Sequence, residues 1–330
     1  RNIGKRLGVA YCLEGSVRKM AQRIRITAQL IDSTSGDHVW ADKFDCPLDN
    51  LFDTQDELAK IIVAKVAGKL EVAAILSAKK KKPGDMVAYD CLMRGMEHHR
   101  LAGVTKESAE EAVRWLDLAI EKDPEYGRAY AWRACAITNR AAWTGENFWD
   151  EAVRMSDRAL ELDENEAESH RIAGSIALYD RDFDKTEYHF RRALELNPNH
   201  AYIQGRLGEL HIFLGEPEKA LEFAHEATRL DPSLPPYCRE IELIAHYLLG
   251  DHHRALKVAS EFLRTPRRCR AYVVAARTHL DDKEGLRKSV DDLLACDPSF
   301  TVDGFISSEF YSVSKLLDRL KQDLMVAGLS

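Results

Sequence analysis

Residues 201–232 read AYIQGRLGELHIFLGEPEKALEFAHEATRLDP, and this stretch decides the fold. On either side of Gly215, apolar side chains recur every three or four positions, a spacing typical of two helices joined by a turn. Gly208 and Ala220 supply small side chains, which two helices need where their axes cross closely. Pro232 follows the second helix, since proline cannot continue one. The stretch therefore predicts a closely packed helix pair.

The same pattern recurs along the chain at a nearly fixed period. A small residue is followed by Asp or Asn and then usually by Pro, and the pattern returns less cleanly at Thr265-Pro266 and Asp297-Pro298. The second residue of each pair falls at positions 124, 164, 198, 232, 266 and 298. Successive positions are therefore 40, 34, 34, 34 and 32 residues apart. A period of this length indicates supersecondary units that stack to bury a continuous core. We predict six helix pairs across residues 85–298.

Two copies of the pattern resemble the tetratricopeptide repeat. The matching residues are Leu207, Gly208, Ala220, Ala227 and Pro232 in one copy, and Gly174, Phe190, Ala193 and Pro198 in the copy before it. The resemblance implies a mainly α fold, a right-handed α-solenoid of about six tetratricopeptide-type helix pairs. It also implies an interaction scaffold that holds a protein or peptide ligand against the first helices of its pairs.

The chain after the last repeat has a helical pattern of its own. Five apolar residues recur there at helical spacing: Val313, Leu316, Leu317, Leu320 and Leu324. An open stack must cover its last apolar face. We therefore predict a C-terminal capping helix within residues 299–330.

The first 46 residues carry a different pattern. In residues 23–30, apolar and polar side chains alternate, which is the period of a strand with one apolar face. A turn cluster at residues 33–36 separates this strand from a later one, and a further strand precedes it. We predict a small three-stranded α/β segment, for which only residues 3–7 remain to supply a covering helix.

Between these two regions, apolar residues at helical spacing predict a long linker helix within residues 47–84. The helix ends in Lys79-Lys80-Lys81-Lys82, before Pro83-Gly84. Lysines near a helix C-terminus interact favourably with the helix dipole, and Pro-Gly breaks the helix. A contact with acidic lipid or nucleic acid is the alternative role, but four lysines are few for it.

Four segments near the start resemble the C-terminal half of a TolB-like α/β domain: IGKRLGV at 3–9, LEGSVR at 13–18, ITAQLID at 26–32 and HVWA at 38–41. Such a domain precedes tetratricopeptide repeats in bacterial class III adenylate/guanylate cyclase-type proteins and in some winged-helix transcription regulators. The closing residues 316–329 resemble the end of the same proteins. The resemblance implies a partial TolB-like domain at 1–46 and the regulatory C-terminal region of a larger bacterial signalling protein.

Three hypotheses about function stay open at this point. The chain is an interaction module, a portion of an adenylate/guanylate cyclase whose catalytic domain lies upstream of Arg1, or the sensor arm of a winged-helix regulator. The start at Arg1, without Met, indicates a fragment. No motif matches the paired metal-binding aspartates of a cyclase. We therefore expect no enzyme activity from this chain.

Histidine-containing motifs are the remaining candidates for chemistry. Asp251-His252-His253 falls in the turn between two repeat helices, and His98-His99 falls at a helix end with no carboxylate-rich partner at ligand spacing. We expect these histidines to be solvated. We predict no catalytic residue, no metal and no cofactor.

Composition limits the partners. The formal net charge of −7 is modest, which argues against nucleic acid, and no apolar run is long enough for membrane insertion. The seven cysteines are scattered and include no Cys-x-x-Cys pair. We therefore expect mostly buried free thiols and a cytoplasmic protein. The expected partner is a protein, a peptide or another copy of the chain.

The resemblance also places a ligand groove along the first helix of each pair. Carried over, the groove residues are Arg128, Asn139, Arg171, Tyr179, Tyr202, Glu209, Phe213, Tyr237, Glu240, Tyr247, Arg270 and Arg277. Tyrosine and arginine are the side chains that most often anchor a buried contact. Ser175 and Glu209 stand where a terminal-carboxylate clamp needs asparagine, so we do not expect a ligand held by its C-terminal carboxylate.

Overall fold

The computed structural model describes residues 6, 9–20, 23–33, 35–47, 51–79, 84, 86–102, 105–145, 147–231 and 237–330. The chain divides into two compact units, Arg1–Ser169 and His170–Ser330. Most of the predicted covering helix at residues 3–7, the lysines at 80–82 and Pro232 lie outside the described residues.

The first unit begins with an antiparallel meander of three strands. These are β1 (Tyr11–Met20), β2 (Arg23–Asp32) and β3 (His38–Pro47), in the order β1-β2-β3. Leu13 pairs with Leu30, and Leu30 pairs in turn with Trp40. The alternation seen in the sequence holds in β2, where Ile24, Ala28 and Leu30 are buried. The predicted three-stranded segment is therefore confirmed.

A long helix, α1 (Leu51–Lys79), packs against β3. The Lys65 ammonium donates to Asp42 Oδ2 at 2.6 Å and lies 5.4 Å from the centre of the Phe44 ring. The segment predicted to be only a linker thus covers the sheet. A single layer of strands cannot bury its apolar face, and α1 supplies the second layer.

The first unit also holds two helix pairs. They are α2 (Ala88–Leu101) with α3 (Lys106–Lys122), and α4 (Gly127–Thr144) with α5 (Trp149–Leu162). Thr105 begins α3, because its hydroxyl accepts from the Ser108 amide at 3.1 Å. Gly145, with φ of 70°, ends α4 in the left-handed region. Leu92, Leu116 and further apolar residues are fully buried between these helices.

Helix α6 begins just before the unit boundary, and all later helices lie in the second unit. They are α6 (Ala167–Tyr179), α7 (Phe183–Leu196), α8 (Ala201–Phe213), α9 (Pro217–Leu230), α10 (Tyr237–Leu248), α11 (His252–Ser260), α12 (Arg267–Arg277), α13 (Lys283–Cys296), α14 (Val302–Ser307) and α15 (Ser314–Val326). Six helix pairs, α2/α3 to α12/α13, thus follow the sheet and the long helix. The predicted fold class, a mainly α solenoid of tetratricopeptide-type pairs, is confirmed.

Small residues permit the close crossings inside the pairs. A Cβ at Gly174 would lie 2.6 Å from two ring carbons of Phe190, and one at Gly208 would lie 3.2 Å from the Ala220 carbonyl oxygen. A larger side chain at either position would push the helices apart. The close spacing of the two helices in these pairs therefore depends on Gly174 and Gly208.

The last helix, α15, packs on α12 and on the end of α10. Leu320 and Leu324 are fully buried in the same core as Tyr247 and Tyr272. The Tyr247 hydroxyl donates to Asp323 of α15 at 2.6 Å. None of the helices in the described parts of the chain is long and apolar enough to cross a membrane.

Candidate functional site

A cavity of about 390 Å³ opens in the second unit between α6, α8, α12 and the chain that follows α14. We call it the second-unit groove. Its aromatic walls are Tyr179, Phe213, Phe305 and Phe310, and its charged lining residues are Glu209, Arg267, Arg268 and Glu309. Tyr179 is 56% exposed, so one aromatic wall faces solvent.

Arg268 and Glu309 form the floor of the second-unit groove. The guanidinium of Arg268 donates to both carboxylate oxygens of Glu309 at 2.7 Å. Tyr272 donates a third hydrogen bond to Glu309 at 2.8 Å, and the Tyr272 oxygen then accepts from Tyr311 at 2.8 Å. The guanidinium also lies 5.1 Å from the centre of the Phe213 ring. Every polar atom of the Glu309 carboxylate is therefore satisfied, although that residue is buried.

A second buried ion pair lies beside the first. Arg206 of α8 pairs with Glu209 one turn later, and the Tyr237 hydroxyl donates to Glu209 at 2.9 Å. Burial alone would lower the pKa of Arg206, but Glu209 and the surrounding tyrosines raise it well above its ordinary value. Arg268 lies 3.7 Å from the other Glu209 oxygen, so the two ion pairs form one network.

Glu240 and Tyr237 of α10 adjoin this network. Burial raises the pKa of the Glu240 carboxyl, and Arg268 opposes that shift. Burial, followed by nearby Glu209, also raises the pKa of the Tyr237 hydroxyl well above its ordinary range. The neutral hydroxyl of Tyr237 therefore acts as a fixed donor beside the groove.

The crossing segment, residues 308–312, runs over the second-unit groove. The Phe310 ring lies 5.5 Å from Tyr179, edge to face, and 5.4 Å from Phe213. The Ser312 amide donates to the Phe213 carbonyl oxygen at 2.8 Å. The chain itself therefore fills part of the surface where we expected a ligand.

Several of the predicted groove residues do meet in the second unit. Tyr179, Glu209 and Phe213 line the second-unit groove. Tyr202 packs against Tyr237 with ring centres 5.5 Å apart, and the Arg171 guanidinium lies 5.3 Å from the centre of the Tyr202 ring. These six residues and Glu240 form a continuous band of aromatic and charged side chains.

Three predicted groove residues lie elsewhere in the second unit. Tyr247 is fully buried under α15, so a ligand cannot reach it in this conformation. Arg270 donates to the Asp292 carbonyl oxygen of α13 at 3.3 Å, and Arg277 pairs with Asp282. Both arginines lie towards α13, where they line a different cavity, and their contact with a ligand stays a prediction.

Two predicted groove residues belong to the first unit. The Arg128 guanidinium lies 3.7 Å from a Glu166 carboxylate oxygen. The side-chain amide of Asn139 lies 3.0 Å from His99 Nε2, which also contacts the Cys135 thiol at 3.1 Å. Both side chains are half-buried and make contacts within that unit.

Sequence reasoning missed Arg268, Glu309 and Phe310. Helix α11 has only nine residues, so counting from the repeat period placed the register of α12 wrongly. Arg268 and Tyr272, four residues apart, are the residues of α12 that contact Glu309. The aromatic run Phe310-Tyr311 beside a lone carboxylate was the available signal, but it lies outside the repeats.

The prediction that the histidines of the two His-His motifs are solvated is partly wrong. His99 is half-buried, and the ring of His252 stacks on His279 with centres 4.3 Å apart, whereas His253 is exposed. Within the described residues, no cluster of three or more His, Cys, Asp or Glu side chains could hold a metal. Cys91, Cys238 and Cys269 are buried free thiols.

Comparison with known proteins places this geometry in context. Residues 177–238 match the model of the tetratricopeptide repeat family. A Rhizobium meliloti (strain 1021) protein named "Putative adenylate cyclase 3" is 33% identical over 193 residues, which cover 57% of this chain and 32% of that protein. U-box domain-containing protein 70 of Oryza sativa subsp. japonica is 25% identical over 228 residues, covering 56% and 28%. The chain thus spans about a third or less of the length of these relatives.

One solved structure shares the fold over most of the chain. It is the APC/C hetero-tetramer Cut9–Hcn1, with a TM-score of 0.54 and 15% identity, covering 76% of this chain and 46% of that one. At this identity the likeness concerns the fold alone. Residues 177–238 therefore carry the tetratricopeptide-repeat pattern, and the wider likeness is one of fold.

Proposed function

We propose that this tetratricopeptide-repeat protein is an interaction scaffold whose second-unit groove binds an extended peptide or protein segment. The observation that carries the proposal is the solvent-facing Tyr179 beside the fixed Arg268–Glu309 pair at the edge of a 390 Å³ cavity. Tyrosine and arginine held in place by their neighbours lose little entropy on binding, so they suit an anchor role.

The surrounding band extends the proposed surface beyond the cavity. Arg171 of α6 contacts the ring of Tyr202 of α8, which in turn packs against Tyr237 of α10. Aromatic faces next to both signs of charge suit a peptide of mixed character better than a polyanion. Arg128 and Asn139 remain proposed contacts of the first unit.

The larger protein to which the chain belongs and the boundaries of its domains are also proposals. We propose that the chain is the regulatory region of a larger bacterial signalling protein in the cytoplasm. The bacterial relative named as an adenylate cyclase, of which the match covers 32%, supports the signalling context. We propose a partial TolB-like segment at 1–46, a linking helix at 47–84, repeats at 85–298 and a cap at 299–330. The second candidate, a portion of a cyclase, predicts that cyclase activity requires sequence beyond this chain.

A peptide library displayed on phage tests the proposal. Peptides selected on the wild-type chain should lose binding to Tyr179→Ala, which removes the exposed wall of the second-unit groove. Tyr188→Ala is the matched control, because Tyr188 is 62% exposed on α7 and does not line the groove. Peptides that bind all three chains equally would place the binding surface outside the groove.

A further inference from the structure

The crossing segment lies in the second-unit groove as a bound peptide would. It enters after the six-residue helix α14 and leaves into α15. Glu309 inserts its carboxylate between Arg268 and Tyr272, and Phe310 places its ring between Tyr179 and Phe213. Glu309 and Phe310, one acidic and one aromatic, thus fill two adjoining subsites of the groove, and each subsite is the place that holds its side chain.

The place that holds Glu309 is built for a carboxylate. Arg268 is fixed by the rings of Phe213 and Tyr272, at 5.1 and 5.9 Å, and presents two parallel donors. Bidentate pairing with a planar guanidinium selects carboxylate geometry. An amide or a hydroxyl cannot accept both hydrogen bonds as an anion does.

The place that holds Phe310 is built for an aromatic ring. Tyr179 meets that ring edge to face, and the Arg181 guanidinium lies 5.5 Å from its centre. Aromatic pairs and cation–π contacts both favour a flat ring over an aliphatic side chain. Arg181 also adds positive charge at the rim, which favours an acidic partner, whereas the charge of Arg267 is paired with Asp297 at 2.6 Å.

Besides Glu309 and Phe310, the buried Tyr311 also anchors the crossing segment, because its hydroxyl donates to the Tyr272 oxygen at 2.8 Å and its ring lies 5.7 Å from that of Phe213. The segment has no regular secondary structure, and among the residues that the structure describes its only main-chain hydrogen bond to a repeat helix joins Ser312 to Phe213. If a partner's carboxylate replaces that of Glu309, Arg268 stays paired, so the exchange does not add the desolvation cost of a buried, unpaired arginine. The cavity beside Tyr179 is open to solvent and gives an incoming chain a point of entry.

We infer that the second-unit groove recognises an extended peptide of a partner protein in which a carboxylate side chain is followed directly by an aromatic one. The crossing segment occupies that site until such a partner replaces it. The inference rests on the proposed function and deepens it. A partner must then compete with the chain's own Glu309 and Phe310, so its apparent affinity is reduced by the fraction of chains in which the segment is displaced.

A labelled synthetic peptide, FISSEFYSVS, which repeats residues 305–314, tests the inference by fluorescence anisotropy. Phe310→Ala in the full chain empties the aromatic place and loosens the crossing segment. We expect this variant to bind the peptide at least about tenfold more tightly than the wild-type chain does. Peptides with Gln in place of Glu309, or Ala in place of Phe310, should bind at least about tenfold more weakly than the parent peptide.

Two further measurements guard against a misfolded variant. Phe310→Leu retains an apolar side chain, and it should also bind the peptide more tightly than the wild-type chain. In the wild-type chain, saturating peptide should increase hydrogen exchange at the Ser312 amide, because that amide loses its acceptor on Phe213. An unchanged exchange rate with bound peptide would overturn displacement.

The outcomes separate this inference from the proposed function. Suppose that library peptides bind at Tyr179 while FISSEFYSVS binds neither the wild-type chain nor the Phe310→Ala and Phe310→Leu variants. In that case the inferred preference for a carboxylate followed by an aromatic residue is wrong, while the groove remains a binding site. If neither the library nor the peptide binds at the groove, both proposals fail. If light scattering shows that peptide binds only as a dimer dissociates, the natural occupant is a second copy of the chain, and the partner assignment is overturned.

Discussion

Arg268 and Glu309 join through two hydrogen bonds of 2.7 Å, although 41 positions separate them in the chain. The pair ties the first helix of the sixth repeat to a segment that belongs to no repeat. Charged side chains are almost never fully buried without a partner. Each therefore fixes the position of the other, and both border the second-unit groove.

Arg268→Met should destabilise the second unit by about 3–5 kcal/mol, because it leaves the buried Glu309 carboxylate without its charge partner. Arg239→Met is the matched control, since Arg239 and Glu261 form an exposed ion pair at 3.0 Å. Its cost should stay below about 1 kcal/mol. Urea denaturation followed by circular dichroism measures both. Equal midpoints for the two variants would contradict the buried role of the Arg268–Glu309 pair.

Tryptophan fluorescence can show whether a variant destabilises the first or the second unit. All five tryptophans, at positions 40, 115, 132, 143 and 149, lie in the first unit. A variant that destabilises only the second unit should therefore shift the circular dichroism transition and leave the fluorescence transition in place.

Gly174→Ala should destabilise the third helix pair by about 1–3 kcal/mol, because the new methyl group would lie 2.6 Å from the fully buried Phe190 ring. Gly68→Ala is the control in α1, where a Cβ meets no atom within 4 Å. That change should instead stabilise by about 0.5–1 kcal/mol, since alanine favours a helix over glycine. A neutral Gly174→Ala variant would show that the crossing tolerates a wider spacing.

His189 should make the second unit less stable at acidic pH. Burial, followed by neighbouring His170 at 2.9 Å, lowers the pKa of His189 from its ordinary value near 6.5 to about 4; Lys185 adds to the shift and Asp182 opposes it. Between these values the unfolded chain binds a proton that the folded chain does not. The contribution of His189 to stability is therefore complete above pH 6.5 and is lost as the pH falls to about 4.

His189→Asn should flatten this part of the profile of unfolding free energy against pH. The control is His225→Asn, on an exposed position of α9, which should retain the wild-type slope. Urea titrations at several pH values within the window measure both. A wild-type slope in His189→Asn would assign the pH dependence to other groups.

Leu324→Ala should loosen α15 and cost about 2–5 kcal/mol, because Leu324 is fully buried against the core that contains Tyr247. Met325→Ala, at the next position and 53% exposed, should change stability by no more than about 0.5 kcal/mol. The looser variant should also bind more of a hydrophobic dye. Equal dye binding by both would mean that α15 does not cover the apolar face.

The helix pairs could be predicted because their determinants are local. Gly174, Ala220 and the helix-ending residues recur at a fixed spacing, and close crossings select small side chains wherever they occur. The sheet could be predicted for a similar reason, since alternation in β2 reports burial on one face directly.

The groove could be predicted only in part. Tyr179, Glu209 and Phe213 followed from repeat positions, but Tyr247 and the residues of α12 did not. Helical periodicity tells which face of α10 is apolar, and it carries no information about α15, which covers Tyr247. Glu309 and Phe310 have no period at all, so only the folded chain shows that they meet α8 and α12.

The hydrogen bond from Ser312 to Phe213 spans 99 positions and has a consequence for how the chain comes apart. In a simple repeat stack each pair touches only its neighbours, so the ends can unravel one pair at a time. Here the chain loop closed by Ser312 and Phe213 contains helices α9 to α14, and Arg319 adds a tie to the last carbonyl groups of α10. Under mechanical load or heat, we expect helices α9 to α14 to unfold together in one cooperative step, rather than pair by pair.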